Sequence, residues 1–105
     1  MIHLTRYPQG VYHKTMISDI RKRALHRSKI LQGQMKGLEK MIENEEYCID
    51  ILTQSLAIQK SLRSLGKLIL ENHLKTHVPE QMKNGEEEKA VNELLDLYKL
   101  SNEKS

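Results

Sequence analysis

Three side chains in this sequence have the chemistry of metal ligands: Cys48, His73 and His77. The two histidines stand four residues apart, so on a helix their rings share one face and can hold one ion together. A cysteine thiolate with two imidazoles is a ligand set for Cu(I), Zn(II), Ni(II) or Co(II). No oxyanion-hole motif or glycine-rich loop accompanies the cysteine, as nucleophilic catalysis would require. We therefore predict a metal site and no enzyme activity.

The separation between the cysteine and the histidines indicates how such a site is built. Cys48 precedes His73 by 25 residues and His77 by 29. On one continuous helix 25 residues span roughly 37 Å, so Cys48 cannot meet His73 within its own chain. At about 100° per residue, both histidines still lie within roughly 20° of the Cys48 direction. An antiparallel partner helix would bring them together, which predicts a dimer with intersubunit metal sites.

The composition favours a small all-α protein. The chain has 105 residues without Trp or Phe, and its Leu, Ile and Met residues recur at helical spacing. Because a chain of this length has a small core, association with a partner would add buried surface. One cysteine excludes an intrachain disulfide and fits a reducing cytoplasm. The chain has no apolar run near the roughly 18 residues of a membrane span and no signal-peptide core, so we expect a cytoplasmic protein without membrane contact.

Positive charge is concentrated in the first part of the chain. Residues 1–40 carry nine Lys/Arg against two acidic residues, whereas residues 41–105 carry eight against twelve. A basic cluster of this kind can neutralise phosphates, and a dimer would double it. The same charges could equally form a solvated helix face, because no helix-turn-helix or zinc-finger spacing accompanies them.

The hydrophobic pattern predicts three helices between two tails. Residues 1–17 are expected to form a flexible arm, with Ser18 or Asp19 as the N-cap of the first helix. A second helix is predicted over residues 46–78 and ended by Pro79, and a third follows the turn at Asn84 and Gly85. The functional domain then covers residues 18–100, and residues 101–105 form a frayed tail. Two such helical hairpins pair economically as an antiparallel four-helix-bundle dimer.

Three segments in this order resemble the copper-sensitive operon repressor family: residues 27–34 (RSKILQGQ), 47–54 (YCIDILTQ) and 73–77 (HLKTH). That family also includes nickel/cobalt-responsive and formaldehyde-responsive repressors, and the resemblance covers roughly residues 18–100. It implies an all-helical antiparallel dimer that assembles further into a dimer of dimers, a homotetramer. It also implies that the first two helices bind operator double-stranded DNA until an inducer is bound.

The resemblance also implies roles for individual residues. Cys48, His73 and His77 match the family's metal ligands, and Tyr47 and Glu93 match residues that link the copper site to the third helix. Arg27 matches an arginine that contacts DNA. Together with the local charge, this leads to a proposed DNA-binding set of Arg21, Arg23, Arg27, Lys29, Lys60 and Arg63. Gln59 departs from the family, which commonly has an arginine there.

The identity of the metal rests on the third ligand and on the N-terminal arm. His77 stands where most copper sensors of the family have cysteine, and the nickel/cobalt branch uses an N-terminal histidine whose position here is Met16. His13 lies three residues earlier. Tyr47 and Glu93 favour Cu(I), which we expect, with Ni(II), Co(II) or Zn(II) as alternatives. The remaining alternative is a helical metal-binding oligomer without affinity for DNA.

Overall fold

Two long antiparallel helices and two shorter ones make up the chain. The computed structural model describes residues 16–103. The helices are α1 Ser18–Glu43, α2 Cys48–Lys75, α3 His77–Lys83 and α4 Glu87–Ser101. Residues 16–103 contain no β-strand, so the predicted all-α class is confirmed. The three predicted helices correspond to α1, α2 and α4, and α3 is a short addition between the last two.

Helices α1 and α2 form a hairpin whose contacts fix its direction. Ile20 and Ala24 near the start of α1 pack against Leu68 near the end of α2. Farther along the hairpin, the Gln54 side-chain amide donates a 3.2 Å hydrogen bond to the backbone carbonyl of Gln34. The start of α1 therefore lies beside the end of α2, where the two histidines are. The turn between the helices places Glu45 at a φ of 50°.

The second helix is shorter than predicted, and Pro79 explains why. The sequence predicted a helix over residues 46–78, whereas α2 ends at Lys75 and Thr76 separates it from α3. In a continuous helix the Pro79 ring would clash with the carbonyl of Lys75, four residues earlier. Pro79 is accommodated instead in the first turn of α3, where backbone N–H groups have no helical partner. His73 and His77 thus lie on different helices.

The start of α1 also differs in detail from the prediction. The N-cap is Ile17, without a side-chain cap, rather than Ser18 or Asp19. The Ile17 backbone N–H donates instead to the Asn72 side-chain oxygen at 2.7 Å. Most of the proposed arm, residues 1–15, lies outside the described part of the chain, and so do the last two residues of the proposed tail.

The short helices extend from the hairpin without folding back on it. Within residues 16–103, α4 contacts α3 and does not contact α1 or α2. Gly85 makes the turn between α3 and α4 with a φ of 75°, which favours glycine. The radius of gyration is 17.6 Å, against about 13 Å for a compact 100-residue domain. An extended chain of this size leaves apolar side chains uncovered.

No helix within residues 16–103 combines the length and the apolarity that crossing a membrane requires.

Candidate metal centre and DNA-facing surface

The rings of His73 and His77 meet across the break between α2 and α3. Their Nδ1 atoms are 3.2 Å apart, and their ring centroids are 4.9 Å apart. Both residues are half-buried. The predicted pairing of the two imidazoles is therefore present, although His77 is the first residue of α3 rather than part of α2.

Hydrogen bonds around the pair orient the His77 ring. The Thr76 hydroxyl donates to the backbone carbonyl of Asn72 at 2.7 Å, so its oxygen remains as an acceptor. That oxygen lies 3.3 Å from His77 Nδ1, which can donate to it only when it carries the proton. His73 Nδ1 and the Thr76 hydroxyl oxygen thus both lie within hydrogen-bond distance of His77 Nδ1.

The separation of the two nitrogens suits a shared metal ion. Imidazole nitrogens bind such an ion at about 2.0–2.1 Å, so two of them on one tetrahedral ion lie about 3.3 Å apart. The Nδ1 atoms of His73 and His77 already have nearly this spacing, at 3.2 Å. The pair therefore offers two of the ligands, and a third must come from elsewhere.

Cys48 lies at the far end of the same helix. It is the first residue of α2, and it is exposed. Because α2 is continuous from Cys48 to Lys75, Cys48 and His73 are separated by roughly 37 Å along its axis. Among residues 16–103 of one chain, no group of three metal-ligating side chains forms. Cys48 and the two histidines of one chain therefore cannot hold the same ion.

The face of α2 between Cys48 and His73 carries exposed leucines. At about 100° per residue, Leu52, Leu62 and Leu70 point within roughly 40° of the Cys48 direction. These three side chains are 57%, 57% and 39% exposed. The side of α2 that packs against α1 is a different one, marked by the buried Ile58 and Leu68. We call the exposed face of Cys48, Leu52, Leu62, Leu70 and His73 the cysteine–histidine face.

Tyr47 and Glu93 flank the two halves of the candidate site. Tyr47 is the N-cap of α2, directly before Cys48, and is 71% exposed. Glu93 on α4 accepts a 3.0 Å hydrogen bond from the Gln81 amide on α3, the helix that begins with His77. Gln81 thus connects Glu93 to the histidine half of the site. Gln81 was not among the residues predicted from the sequence, where its only signal was its spacing of four residues from His77.

One carboxyl group near the histidines, that of Glu71, has a lowered pKa. Glu71 accepts a 2.8 Å hydrogen bond from the Lys75 ammonium in the last turns of α2. The hydrogen bond and the positive charge of Lys75 lower the pKa of the Glu71 carboxyl from its usual 4.5. The pair is exposed to solvent, and its two residues stand on either side of His73 in the sequence.

The basic residues of α1 do not all share one side of the helix. Lys22, Arg23, His26 and Arg27 line an open groove of about 420 Å³ together with Ile30. Arg21 and Lys29 do not line this groove. Arg21 points roughly 170° away from its middle, whereas Lys29 points roughly 90° away, close to the direction of Lys22. Asp19 partly neutralises Arg23 through an exposed 3.6 Å ion pair. Lys22 and His26, absent from the predicted DNA-binding set, share the groove with Arg23 and Arg27.

Two basic residues of α2, Lys60 and Arg63, lie at the level of this groove. Lys60 and Arg63 are both exposed. The contacts between Ile17 and Asn72 and between Gln34 and Gln54 place the middle of α2 beside the part of α1 that carries Arg27. Both helices of the hairpin therefore contribute positive charge along its middle third.

Comparison with known proteins identifies the family. A model of the family described as metal-sensitive transcriptional repressor matches residues 20–99. The chain belongs to this family. The resemblance to copper-sensitive operon repressors is thereby confirmed, and the repressor is a regulator of transcription rather than an enzyme.

Individual relatives of this repressor agree with that assignment. The copper-sensing transcriptional repressor CsoR of Bacillus subtilis (strain 168) is 37% identical over 90 residues, which are 83% of this chain and 89% of that protein. CsoR of Mycobacterium tuberculosis (strain ATCC 25618 / H37Rv) is 33% identical over 81 residues, covering 77% and 68%. The crystal structure of CsoR with Cu(I) from Geobacillus thermodenitrificans NG80-2 matches with a TM-score of 0.76 at 38% identity, covering 89% of this chain and all of that one.

Proposed function

We propose that this chain is a Cu(I)-responsive repressor that binds operator DNA without metal and leaves it when Cu(I) is bound. The observation that carries the proposal is the pair of imidazole nitrogens 3.2 Å apart at one end of α2, with an exposed thiol at the other. The similarity to CsoR proteins named as copper sensors supports this choice of metal.

The site is completed by a second copy of the chain. When two α2 helices pack antiparallel through the cysteine–histidine face, Cys48 of each chain lies beside His73 and His77 of the partner. The exposed Leu52, Leu62 and Leu70 then become buried between the helices. A four-helix bundle of two hairpins results, with two equivalent metal sites. The apolar side chains that α4 leaves exposed, Val91, Leu95 and Tyr98, are available for further assembly into a tetramer.

The DNA-binding surface lies on the same hairpin. We assign phosphate contacts to Arg23 and Arg27 in the groove of α1, supported by Lys60 and Arg63 on α2. Arg21 and Lys29, outside the groove, extend the positive surface around α1. Because α2 also carries Cys48 and His73, a change in how the two hairpins pack alters the spacing of these cations. DNA phosphates are regularly spaced, so such a change weakens binding.

Bound copper would supply one cation that holds the Cys48 thiolate of one chain and two imidazoles of the other. The other interactions at the site are made by the chain's own residues. Before metal binds, the Thr76 hydroxyl oxygen lies against the His77 ring, and Gln81 joins α3 to Glu93. In the proposed dimer Tyr47, at the N-cap of α2, would stand beside the thiolate and face Glu93 of the partner subunit. By linkage, if Cu(I) weakens DNA binding, DNA weakens Cu(I) binding by the same factor.

A nickel- or cobalt-responsive repressor is the second candidate. Two imidazoles with one thiolate are harder ligands than two thiolates with one imidazole, and Ni(II) and Co(II) accept them readily. The structure adds one supporting observation. The Ile17 N–H contacts Asn72, so the chain enters α1 next to the histidines, with Met16 directly before it. His13 lies outside the described part of the chain.

The test is a mobility-shift titration of an operator fragment with the metal-free protein, followed by Cu(I), Ni(II) or Co(II). We expect Cu(I) to release the DNA at lower free concentration than the other ions. Release by Ni(II) or Co(II) alone would establish the second candidate. Metal binding without any DNA affinity, also in salt-dependent heparin retention, would show instead a helical metal-binding oligomer.

A further inference from the structure

Asn72 is the buried polar residue of the hairpin. It is 3% exposed, and no other polar or charged residue among residues 16–103 is buried. Its side-chain oxygen accepts a 2.7 Å hydrogen bond from the backbone N–H of Ile17, 55 residues away in the sequence. A buried amide with a short hydrogen bond to a distant segment holds that segment in place, because losing the bond would leave the buried side-chain oxygen of Asn72 without this partner.

The Ile17 end of this bond is the start of α1. In many helices the backbone N–H of the N-cap is satisfied by a Glu or Gln three residues later. In α1 that position is Ile20, whose side chain cannot accept a hydrogen bond. The side-chain oxygen of Asn72 on α2 accepts the N–H of Ile17 instead. The Ile17 carbonyl in turn accepts the N–H of Arg21 at 2.8 Å. Asn72 therefore anchors the first turn of the helix that carries Arg21 and Arg23.

The other end of the connection is the histidine pair. The backbone carbonyl of Asn72 accepts both the N–H of Thr76 at 2.9 Å and its hydroxyl at 2.7 Å. The Thr76 oxygen lies 3.3 Å from His77 Nδ1, which faces His73. A continuous set of hydrogen bonds thus runs from the imidazoles through Thr76 and Asn72 to the first turn of α1.

We propose that Asn72 is a positioning residue that couples the histidine pair to the start of α1. The inference rests on the proposed metal-responsive function. When the two imidazoles are drawn to a metal shared with the partner subunit, Thr76 and the end of α2 shift with them. Hydrogen bonds weaken steeply with misalignment, so a displacement of about 1 Å is enough to release Ile17. The anchor of Arg21 and Arg23 then changes with the state of the metal site.

The experiment measures the ratio of operator Kd with and without Cu(I) for the wild type and three variants. Asn72→Ala removes the acceptor, Asn72→Asp keeps it, and Leu68→Ala weakens the same α1–α2 contact without touching the hydrogen bond. We expect Asn72→Ala to reduce the ratio by at least about tenfold, within the usual range of allosteric couplings. Asn72→Asp and Leu68→Ala should keep it. Equal ratios in Asn72→Ala and Leu68→Ala, or an Asn72→Asp variant as uncoupled as Asn72→Ala, would overturn the proposal.

A measurement on the wild type covers the case in which Asn72→Ala fails to fold. Hydrogen exchange of the Ile17 amide, followed by NMR, should change by at least about fivefold on adding Cu(I), while the Leu31 amide in the middle of α1 stays constant. An unchanged Ile17 amide would overturn the proposal. A wild type that Cu(I) does not release from DNA would instead refute the proposed function, so the two failures are distinguishable.

Discussion

His73 and His77 bring their Nδ1 atoms to 3.2 Å although they belong to different helices. The break at Thr76, which Pro79 causes, does not separate the rings, because Thr76 keeps its N–H and hydroxyl bonded to the carbonyl of Asn72. A helix interrupted at this point leaves the imidazoles paired and gives the His77 ring a separate support. The histidine half of the proposed site is therefore already assembled within one chain.

Replacing either histidine should remove most of the affinity for Cu(I). Losing a partner outside the ligand set typically costs about 10–100-fold in metal affinity, so His73→Ala and His77→Ala should each cost at least about a hundredfold. Competition with a Cu(I) chelator measures this. His26→Ala is the control, since His26 is the remaining histidine within residues 16–103 and lies in the groove of α1. A His77→Ala variant with wild-type affinity would show that His77 is not a ligand.

Mixing two inactive variants tests whether the ligands come from different chains. Cys48→Ser lacks the thiolate, and a His73→Ala/His77→Ala double variant lacks the imidazoles, so neither forms a site alone. In a mixed dimer one site regains a complete set, because it takes Cys48 from one chain and the histidines from the other. We expect the thiolate-to-copper absorption band to return to about a quarter of its wild-type amplitude under random pairing of equal amounts. If no band returns, although exchange is verified by mass spectrometry, the ligands are not shared between chains.

The sequence was sufficient for the long elements and for the separation of Cys48 from the histidines. The apolar period defined α1, α2 and α4, and helix geometry already required a second chain. The prediction from the sequence was wrong at Pro79, which was interpreted as the end of a helix and is accommodated in the first turn of α3. A proline restricts the residues before it more than those after it, so the helix should have been predicted to end before residue 78.

The burial of Asn72 and the groove of α1 were also not predicted from the sequence. Asn72 looks like a surface residue in the sequence, and only the packing of α1 against α2 shows that it is buried. The uneven distribution of the basic residues around α1 could have been predicted from helix geometry, but charge counting grouped all of them. The DNA-binding role of each residue stays a prediction.

The groove residues should contribute more to operator binding than the basic residues outside it. Arg27→Ala should reduce the slope of log K against log salt by about 1 for each phosphate that the arginine neutralises. Lys29→Ala, outside the groove, should reduce it less. Lys99→Ala on α4 is a charge-matched control for Lys29→Ala and should leave the slope unchanged. Fluorescence anisotropy over a range of salt concentrations measures all three. Equal slopes for Arg27→Ala and Lys99→Ala would exclude the groove from the DNA interface.

The Glu71–Lys75 pair predicts a small pH dependence at the histidine end of α2. Because Lys75 lowers the pKa of Glu71 below 4.5, the pair stabilises the folded state fully above the unfolded pKa and ceases to do so as the pH falls through the folded one. NMR titration of the Glu71 carboxyl should show the lowered pKa in the wild type and a return toward 4.5 in Lys75→Ala. Lys67→Ala is the control. The same Glu71 pKa in both variants and the wild type would contradict the assignment.

Gly66 offers a test of how two chains pack. It points in the same direction as Cys48 along α2, and no atom of its own chain lies within 4 Å of an added Cβ. In an antiparallel dimer that places Cys48 beside the partner's His73, moving seven residues along each helix toward the two-fold axis leads from Cys48 to Ser55 and from His73 to Gly66. Gly66 of one chain then lies beside Ser55 of the partner subunit. Two small residues facing each other allow the helices to approach closely.

A large side chain at this position should therefore break the dimer while the single chain tolerates it. We expect Gly66→Leu to shift sedimentation toward the monomer and to abolish the copper–thiolate band, since each site needs ligands from both chains. Lys67→Leu adds the same side chain on the next residue, roughly 100° away from the cysteine–histidine face, and should leave the assembly intact. A Gly66→Leu protein that sediments like the wild type would show that α2 helices do not pack through this face, and the two halves of the site would then have to meet by another arrangement.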